Sequence, residues 1–230
     1  MNKTIGVIFD LDGVIVDTAK YHFLAWKDLA DELGFEFTET HNESLKGVSR
    51  VQSLEILLGI GNIEISEEKK QEYLLSKNEQ YLEYIYKMGP DEILPGASEL
   101  LDTLDELGIN YVLGSASKNA PLILKQVNLF HRFSGIVDGN SVSKAKPDPE
   151  VFLIGAQKLN MQPKHCVVFE DAIAGVEAAN AANMTSVGIG DKQTLNKAHF
   201  NFNDLTEIPE DFFSSVISEK ILKKNEPKLY

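Results

Sequence analysis

Short apolar runs and amphipathic stripes succeed one another along this chain, and one long block breaks the alternation. Ile5-Gly6-Val7-Ile8-Phe9 is continuously apolar and predicts a fully buried strand. It stops at two carboxylates, Asp10 and Asp12, and Gly13 permits a sharp bend just past the second. Over 21–33 the positions Ala25, Trp26, Leu29, Ala30 and Leu33 make a helical stripe closed by Gly34, with Asp17 or Thr18 placed to cap its start. Residues 38–60 hold a second helical stretch, whose pattern resumes from Val51 to Leu58. Residues 66–88 predict a long helix with Ser66 as N-cap, Glu67 and Glu68 in the first turn, and Leu74, Tyr81, Ile85 and Met88 along one face. No strong strand falls between about residue 18 and 90.

After Gly89-Pro90-Asp91 strands and helices alternate. Strands are expected over 109–113, 135–137, 166–169 and 185–189, and helices over 97–107, 121–127, 150–159 and 172–182. Phe200 and Phe202 alternate with asparagine, as in an edge strand, and 220–230 reads as a frayed terminal helix or tail. Such a series gives an α/β fold with a Rossmann-like parallel sheet and helices on both faces. Residues 1–17 and 92–230 then form the sheet-bearing core, and 18–91 are an inserted helical cap. The insertion leaves the sheet just after the two acids, so it can fold back over them as a lid.

With 230 residues and 43% hydrophobic composition, the chain has ample material for a core. Its net charge of −13 opposes nucleic acid and anionic membranes as partners. It also repels phosphorylated substrates, so a site for phosphate must supply its own local cations. Cys166 is the one cysteine, lies in the apolar run Cys166-Val167-Val168-Phe169, and suits a buried core position. Met1-Asn2-Lys3-Thr4 leads straight into the first strand, without a signal peptide or an apolar run of spanning length. A soluble, cytoplasmic, monomeric protein is the expectation.

The chemistry gathers at the strand ends: Asp10 and Asp12, then Ser115, Lys146, and Glu170 with Asp171. Parallel strands bring these to one edge, where open α/β sheets place their ligands. Taken alone, Asp10-Leu11-Asp12-Gly13 also fits a solvated strand-to-turn junction. Four acids together destabilise one another, and a hard cation with oxygen ligands relieves this; Mg²⁺ suits a site that also takes phosphate oxygens. Ser115 and Lys146 are then phosphate contacts, Asp10 a nucleophile on phosphorus, and Asp12 a proton donor and acceptor. Lys46-Gly47-Val48-Ser49-Arg50 can grip an anion through backbone N–H groups and Arg50, or serve as a polar connection between helices. Lys77 shares the apolar face of its helix, where a lysine usually snorkels and where a cation above an anionic site would also sit. His22, one turn before Trp26, reads from its helix alone as a partly buried histidine.

The set Asp10-Leu11-Asp12-Gly13-Val14, Ser115, Lys146-Pro147 and Glu170-Asp171 resembles the haloacid dehalogenase superfamily of phosphotransferases along the whole chain. A closer resemblance, to that family's hexose-phosphate mutases, rests on 17–26, on Leu45-Lys46-Gly47-Val48-Ser49-Arg50 and on Ser115-Ala116-Ser117-Lys118-Asn119. The resemblance implies that Asp10 becomes an aspartyl phosphate and Asp12 acts as general acid and base. It implies that Asp10, the Asp12 carbonyl, Glu170 and Asp171 hold Mg²⁺ directly or through water. Ser115, Ala116 and Lys146 would hold the transferring phosphoryl group, and Arg50 the other phosphate, with Ser117 and Asn119 nearby. His22, Trp26, Gly47, Val48, Ser53 and Lys77 would line the sugar site, with Thr18 at the hinge. In that setting His22 orients Asp12 or the sugar. The implied reaction interconverts β-D-glucose 1-phosphate and D-glucose 6-phosphate through β-D-glucose 1,6-bisphosphate. A sugar-phosphate phosphatase on the same scaffold is the competing reading, ahead of a non-catalytic binding protein or a dehalogenase.

Overall fold

The computed structural model describes residues 5–225. Six strands, β1 (Gly6–Phe9), β2 (Tyr111–Gly114), β3 (Ile136–Val137), β4 (Cys166–Glu170), β5 (Thr185–Ile189) and β6 (Phe200–Phe202), form one sheet in the order β3-β2-β1-β4-β5-β6. Every neighbouring pair is parallel. The chain builds outward from β1 to β3, then returns to β4 on the other side. The crevice beyond β1 and β4 is therefore the switch point at which such sheets bind ligands.

β1, β2 and β4 are buried along their whole length because helices cover both faces. Side chains of β1 alternate: Val7 and Phe9 enter one core cluster and Ile8 the other. The first cluster takes residues from α5 (Ala97–Glu106), α6 (Ala120–Gln126) and α9 (Phe212–Asn225), the second from α7 (Glu150–Lys158) and α8 (Ile173–Ala181). Cys166 is buried in β4.

Between β1 and α5 lie α1 (Ala19–Leu33), α2 (Glu39–Glu43), α3 (Arg50–Gly61) and α4 (Glu67–Ile85). They enclose a third cluster around Trp26, Leu29, Leu54, Leu57 and Leu74. α4 is long enough to serve two cores: its Leu74 joins that cluster, whereas Tyr81 and Ile85 join the sheet's. The chain leaves and re-enters the sheet side by side. Asp17 N–H donates to the Glu92 carbonyl at 2.9 Å, Lys20 reaches the Glu92 carboxylate at 2.6 Å, and the Tyr21 hydroxyl donates to it as well.

Most expected elements fall within a residue or two of the observed ones. Ser66 caps α4 by accepting the Lys69 N–H at 3.3 Å, Gly34 closes α1 at φ 86°, and β6 lies at the sheet edge. Two expectations need correction. Thr18 occupies the cap position of α1 but neither its side chain nor that of Asp17 caps it, because the Thr18 hydroxyl is turned to Asp12. Lys146 is not at a strand end; it lies in the long connection between β3 and α7. The terminal helix extends to Asn225, and residues 1–4 and 226–230 lie outside the described residues.

Candidate active site

Asp10 ends β1 because its N–H is the last to join the sheet, donating to the Phe169 carbonyl at 2.9 Å. Only 5% of the residue is exposed. Lys146 Nζ donates to Asp10 Oδ1 and to Glu170 Oε1, each at 2.5 Å, and lies 4.8 Å from the centre of the Phe152 ring. Burial on its own would lower the Lys146 pKa; the two carboxylates outweigh it and hold the ammonium charged. Glu170 also accepts the Ala172 N–H at 2.8 Å, at the start of α8. Gly13, at φ 78°, brings the turn against Asp171; a Cβ there would stand 2.2 Å from Asp171 Oδ2. A side chain at residue 13 would thus collide with the acid.

The negative charge here is not fully answered. Burial, then Glu170 and Asp10, raise the Asp171 pKa well above the carboxylate range, and Glu170 is raised by its own burial. Burial and the neighbouring Asp10 push Asp12 up to about 7.

Across a cavity of about 470 Å³ the helical block presents two basic side chains, Lys77 and Arg50. Lys77 is 2% exposed; its Nζ lies 2.9 Å from His22 Nδ1 and sits over the rings of Trp26 at 4.4 Å and Tyr81 at 5.0 Å. Burial, with Arg50 nearby, lowers the Lys77 pKa well below its usual value. His22 is lowered too, by burial and then by Lys77 and Arg50, so its imidazole is neutral. Where Lys77 donates to Nδ1, the ring proton sits on Nε2, which lies 4.0 Å from Asp12 Oδ1. The ring stacks on Tyr81 with centroids 4.1 Å apart. Arg50 opens α3, directly after the N-cap Ser49, and has no ion pair among the described residues.

The turn after β2 supplies hydroxyls and N–H groups. Ser115 Oγ accepts the Ser117 N–H at 3.0 Å, and Ser117 Oγ accepts the Asn119 N–H at 3.2 Å. The first bond leaves the Ser115 hydroxyl proton available to a phosphate oxygen.

Of the residues singled out in the sequence, Asp10, Asp12, His22, Trp26, Gly47, Val48, Arg50, Ser53, Lys77, Ser115, Ala116, Ser117, Asn119, Lys146 and Asp171 all line this one cavity. Thr18 and Glu170 do not. They stand behind it, Thr18 bonded to Asp12 and Glu170 to Lys146. Ser53 Oγ is partly engaged, donating to the Ser49 carbonyl at 3.1 Å. Two partners escaped sequence reasoning: Asn42, which lines the cavity, and Asn78, whose Oδ1 accepts from Asn119 Nδ2 at 3.0 Å. Neither carries a local signal, since asparagine on a helix is ordinary surface composition.

As the side chains stand, no group of three or more His, Cys, Asp or Glu among the described residues is arranged to hold a metal ion. Lys146 stands between Asp10 and Glu170. The donor set nevertheless fits a hard divalent cation: it consists of carboxylate oxygens, and the raised Asp171 marks charge that a cation would neutralise.

The sequence model for haloacid dehalogenase-like hydrolases matches residues 6–183. A β-phosphoglucomutase of Bacillus subtilis is 44% identical over 191 residues, 82% of this chain and 84% of that protein. A phosphorylated carbohydrates phosphatase of Thermotoga maritima is 31% identical over 79% of this chain and 82% of that protein. The crystal structure of a β-phosphoglucomutase from Clostridium difficile matches with a TM-score of 0.89 and 40% identity, over 94% of this chain and 98% of the other. Phosphatases and mutases of this kind generally depend on a divalent metal. A carboxylate pair at the end of a central parallel strand, a buried lysine bound to it, and a match along most of the sequence agree: the chain belongs to the haloacid dehalogenase-like hydrolase family.

Proposed function

We propose that this chain is a Mg²⁺-dependent β-phosphoglucomutase, interconverting β-D-glucose 1-phosphate and D-glucose 6-phosphate through the 1,6-bisphosphate. One observation carries the reading beyond the family. Two sets of donors face each other across a single cavity and suit two anion grips: Ser115 and Lys146 at the sheet edge, and Arg50, free of any acid partner among the described residues, on the helical block. A mutase must hold a phosphate at each end of its intermediate, and a phosphatase needs one grip. Residues 18–91 act as the cap that carries the second grip, and 1–17 with 92–230 as the core.

In this reading Asp10 Oδ attacks the phosphorus held by Ser115, Ala116 and Lys146, and the bond from phosphorus to the sugar oxygen breaks. Asp12 gives its proton to that leaving oxygen, and takes one from the hydroxyl that attacks the aspartyl phosphate in the second half-reaction. A value near neutrality suits both duties. Neutral His22 and the Thr18 hydroxyl orient Asp12. Arg50, Ser117 and Asn119 hold the resting phosphate, while Trp26, Gly47, Val48, Ser53 and Lys77 contact the sugar. Asp10, the Asp12 carbonyl, Glu170 and Asp171 would hold Mg²⁺ directly or through water, and the ion would supply charge neutralisation for the transferring phosphoryl group. No helix among the described residues is long and apolar enough to cross a membrane. The acidic balance opposes nucleic-acid and anionic-membrane partners and favours a monomer, and the enzyme is read as cytoplasmic.

The test is an assay with β-D-glucose 1-phosphate, Mg²⁺ and a trace of the 1,6-bisphosphate, following glucose 6-phosphate and free phosphate together. Glucose 6-phosphate with little free phosphate is the expected result. The similarity to the Thermotoga maritima phosphatase favours one alternative, hydrolysis, in which free phosphate would keep step with substrate loss.

A further inference from the structure

Asn119 begins α6, at a position where an asparagine side chain ordinarily accepts an N–H from the first helical turn. It makes no such cap. Its Nδ2 instead donates to Asn78 Oδ1 at 3.0 Å, across the cleft on α4. Asn119 lines the cavity and Asn78 does not. The carboxamide has thus exchanged a stabilising local bond for a long-range one.

The exchange has a consequence for an anion. A carboxamide can turn either its oxygen or its NH₂ toward the cavity, and a phosphate oxygen takes only donors. The bond to Asn78 Oδ1 forms when Asn119 turns its nitrogen toward α4, and in that orientation its second N–H is left to donate. Asn78 directly follows Lys77, which reaches His22 from the same helix. One turn of α4 therefore touches both sides of the site.

We propose that Asn78 is a positioning residue that acts through Asn119, holding its carboxamide in the orientation that donates to the non-transferring phosphate of a hexose phosphate. This rests on the mutase reading above. The test is a double-mutant cycle. Asn78→Ala should raise KM for the hexose phosphate about three- to tenfold, the worth of one neutral hydrogen bond, while kcat changes by less than about twofold. Introduced beside Asn119→Ala, it should change neither parameter, because the group it orients is gone. An unchanged KM in the single variant, or effects that multiply in the double variant, would overturn the proposal. Asn78→Ser, too short to span the gap, provides a second variant with the same expected result.

Failure of the mutase reading would show separately, in the wild type, as free phosphate without glucose 6-phosphate. The cycle is then read on hydrolysis of the 1,6-bisphosphate, which still carries a non-transferring phosphate: a raised KM in Asn78→Ala that vanishes beside Asn119→Ala supports the link, and an unchanged KM or multiplying effects overturn it.

Discussion

The two sides of the cleft are built on opposite electrostatic plans. The sheet edge gathers four carboxylates, Asp10, Asp12, Glu170 and Asp171, around one buried ammonium, Lys146. The helical block offers Lys77 and Arg50, held by rings and helix geometry rather than by acids. One side lacks positive charge and the other lacks negative charge. A divalent cation answers the first and a phosphate the second, so a metal-assisted phosphoryl transfer uses both at once. On the proposed function, this arrangement lets a chain of net charge −13 take an anion, because the basic side chains that line the cavity are local.

Breaking the sheet side should have the largest effects. Asp10→Asn removes the proposed nucleophile and should lower turnover by at least about 10⁴-fold, with no phosphate retained on the protein after exposure to labelled bisphosphate. Unchanged turnover would remove Asp10 from the mechanism. Lys146→Ala leaves Asp10 and Glu170 buried without their shared cation. Urea unfolding should show a loss of about 3–5 kcal/mol, in addition to lost activity.

Breaking the helical side should be milder and selective. On the proposed function Arg50→Ala removes charged hydrogen bonds to the resting phosphate, and it should cost roughly 10–100-fold in mutase kcat/KM. Hydrolysis of a small phosphate ester, which never reaches Arg50, should change much less. Equal losses would place Arg50 outside the second grip.

Asp12 sharpens the comparison through pH. The acid form must protonate the leaving oxygen, so phosphorylation of Asp10 by the bisphosphate should slow as pH rises through about 7. The same shift has a cost in stability. The folded value lies above the ordinary 3.8, so the contribution of this carboxyl is fully present below that value and is lost as pH rises toward about 7. Asp12→Asn should therefore raise Tm by about 2–4 °C per kcal/mol recovered near pH 8, and give no gain near pH 4. A Tm gain that persists near pH 4 would contradict this account. The smallest effect belongs to the two chain crossings: Lys20→Ala loosens the exposed contact with Glu92 and should cost less than about 1 kcal/mol in urea unfolding.

Much of the architecture was legible because its signals are local. A buried parallel strand announces itself as an unbroken apolar run, as in Val7-Ile8-Phe9 and Val167-Val168-Phe169. Ser66 and Gly34 mark helix ends through the chemistry of their own positions. From its own helix His22 was legible only as a partly buried histidine, and the family resemblance added a role in orienting Asp12 or the sugar. Its pairing with Lys77, fifty-five residues on, depends on how α1 and α4 pack.

The sequence by itself determined which runs form the strands, which carboxylates follow two of them, and that a helical block intervenes after Asp12. Strand burial, turns and caps follow from nearest neighbours and from side-chain periodicity. Tertiary structure alone decided what those groups do to one another. It set Lys146 between Asp10 and Glu170 from a long connection rather than a strand end. It drew the Thr18 hydroxyl away from a helix cap to Asp12, turned Asn119 to Asn78, and split α4 between two cores. Each of these is a distance through space between residues far apart in the chain or on different elements. The charge state of a buried carboxylate or imidazole depends on those distances, so the chemistry of the site becomes readable only once the fold has closed around it.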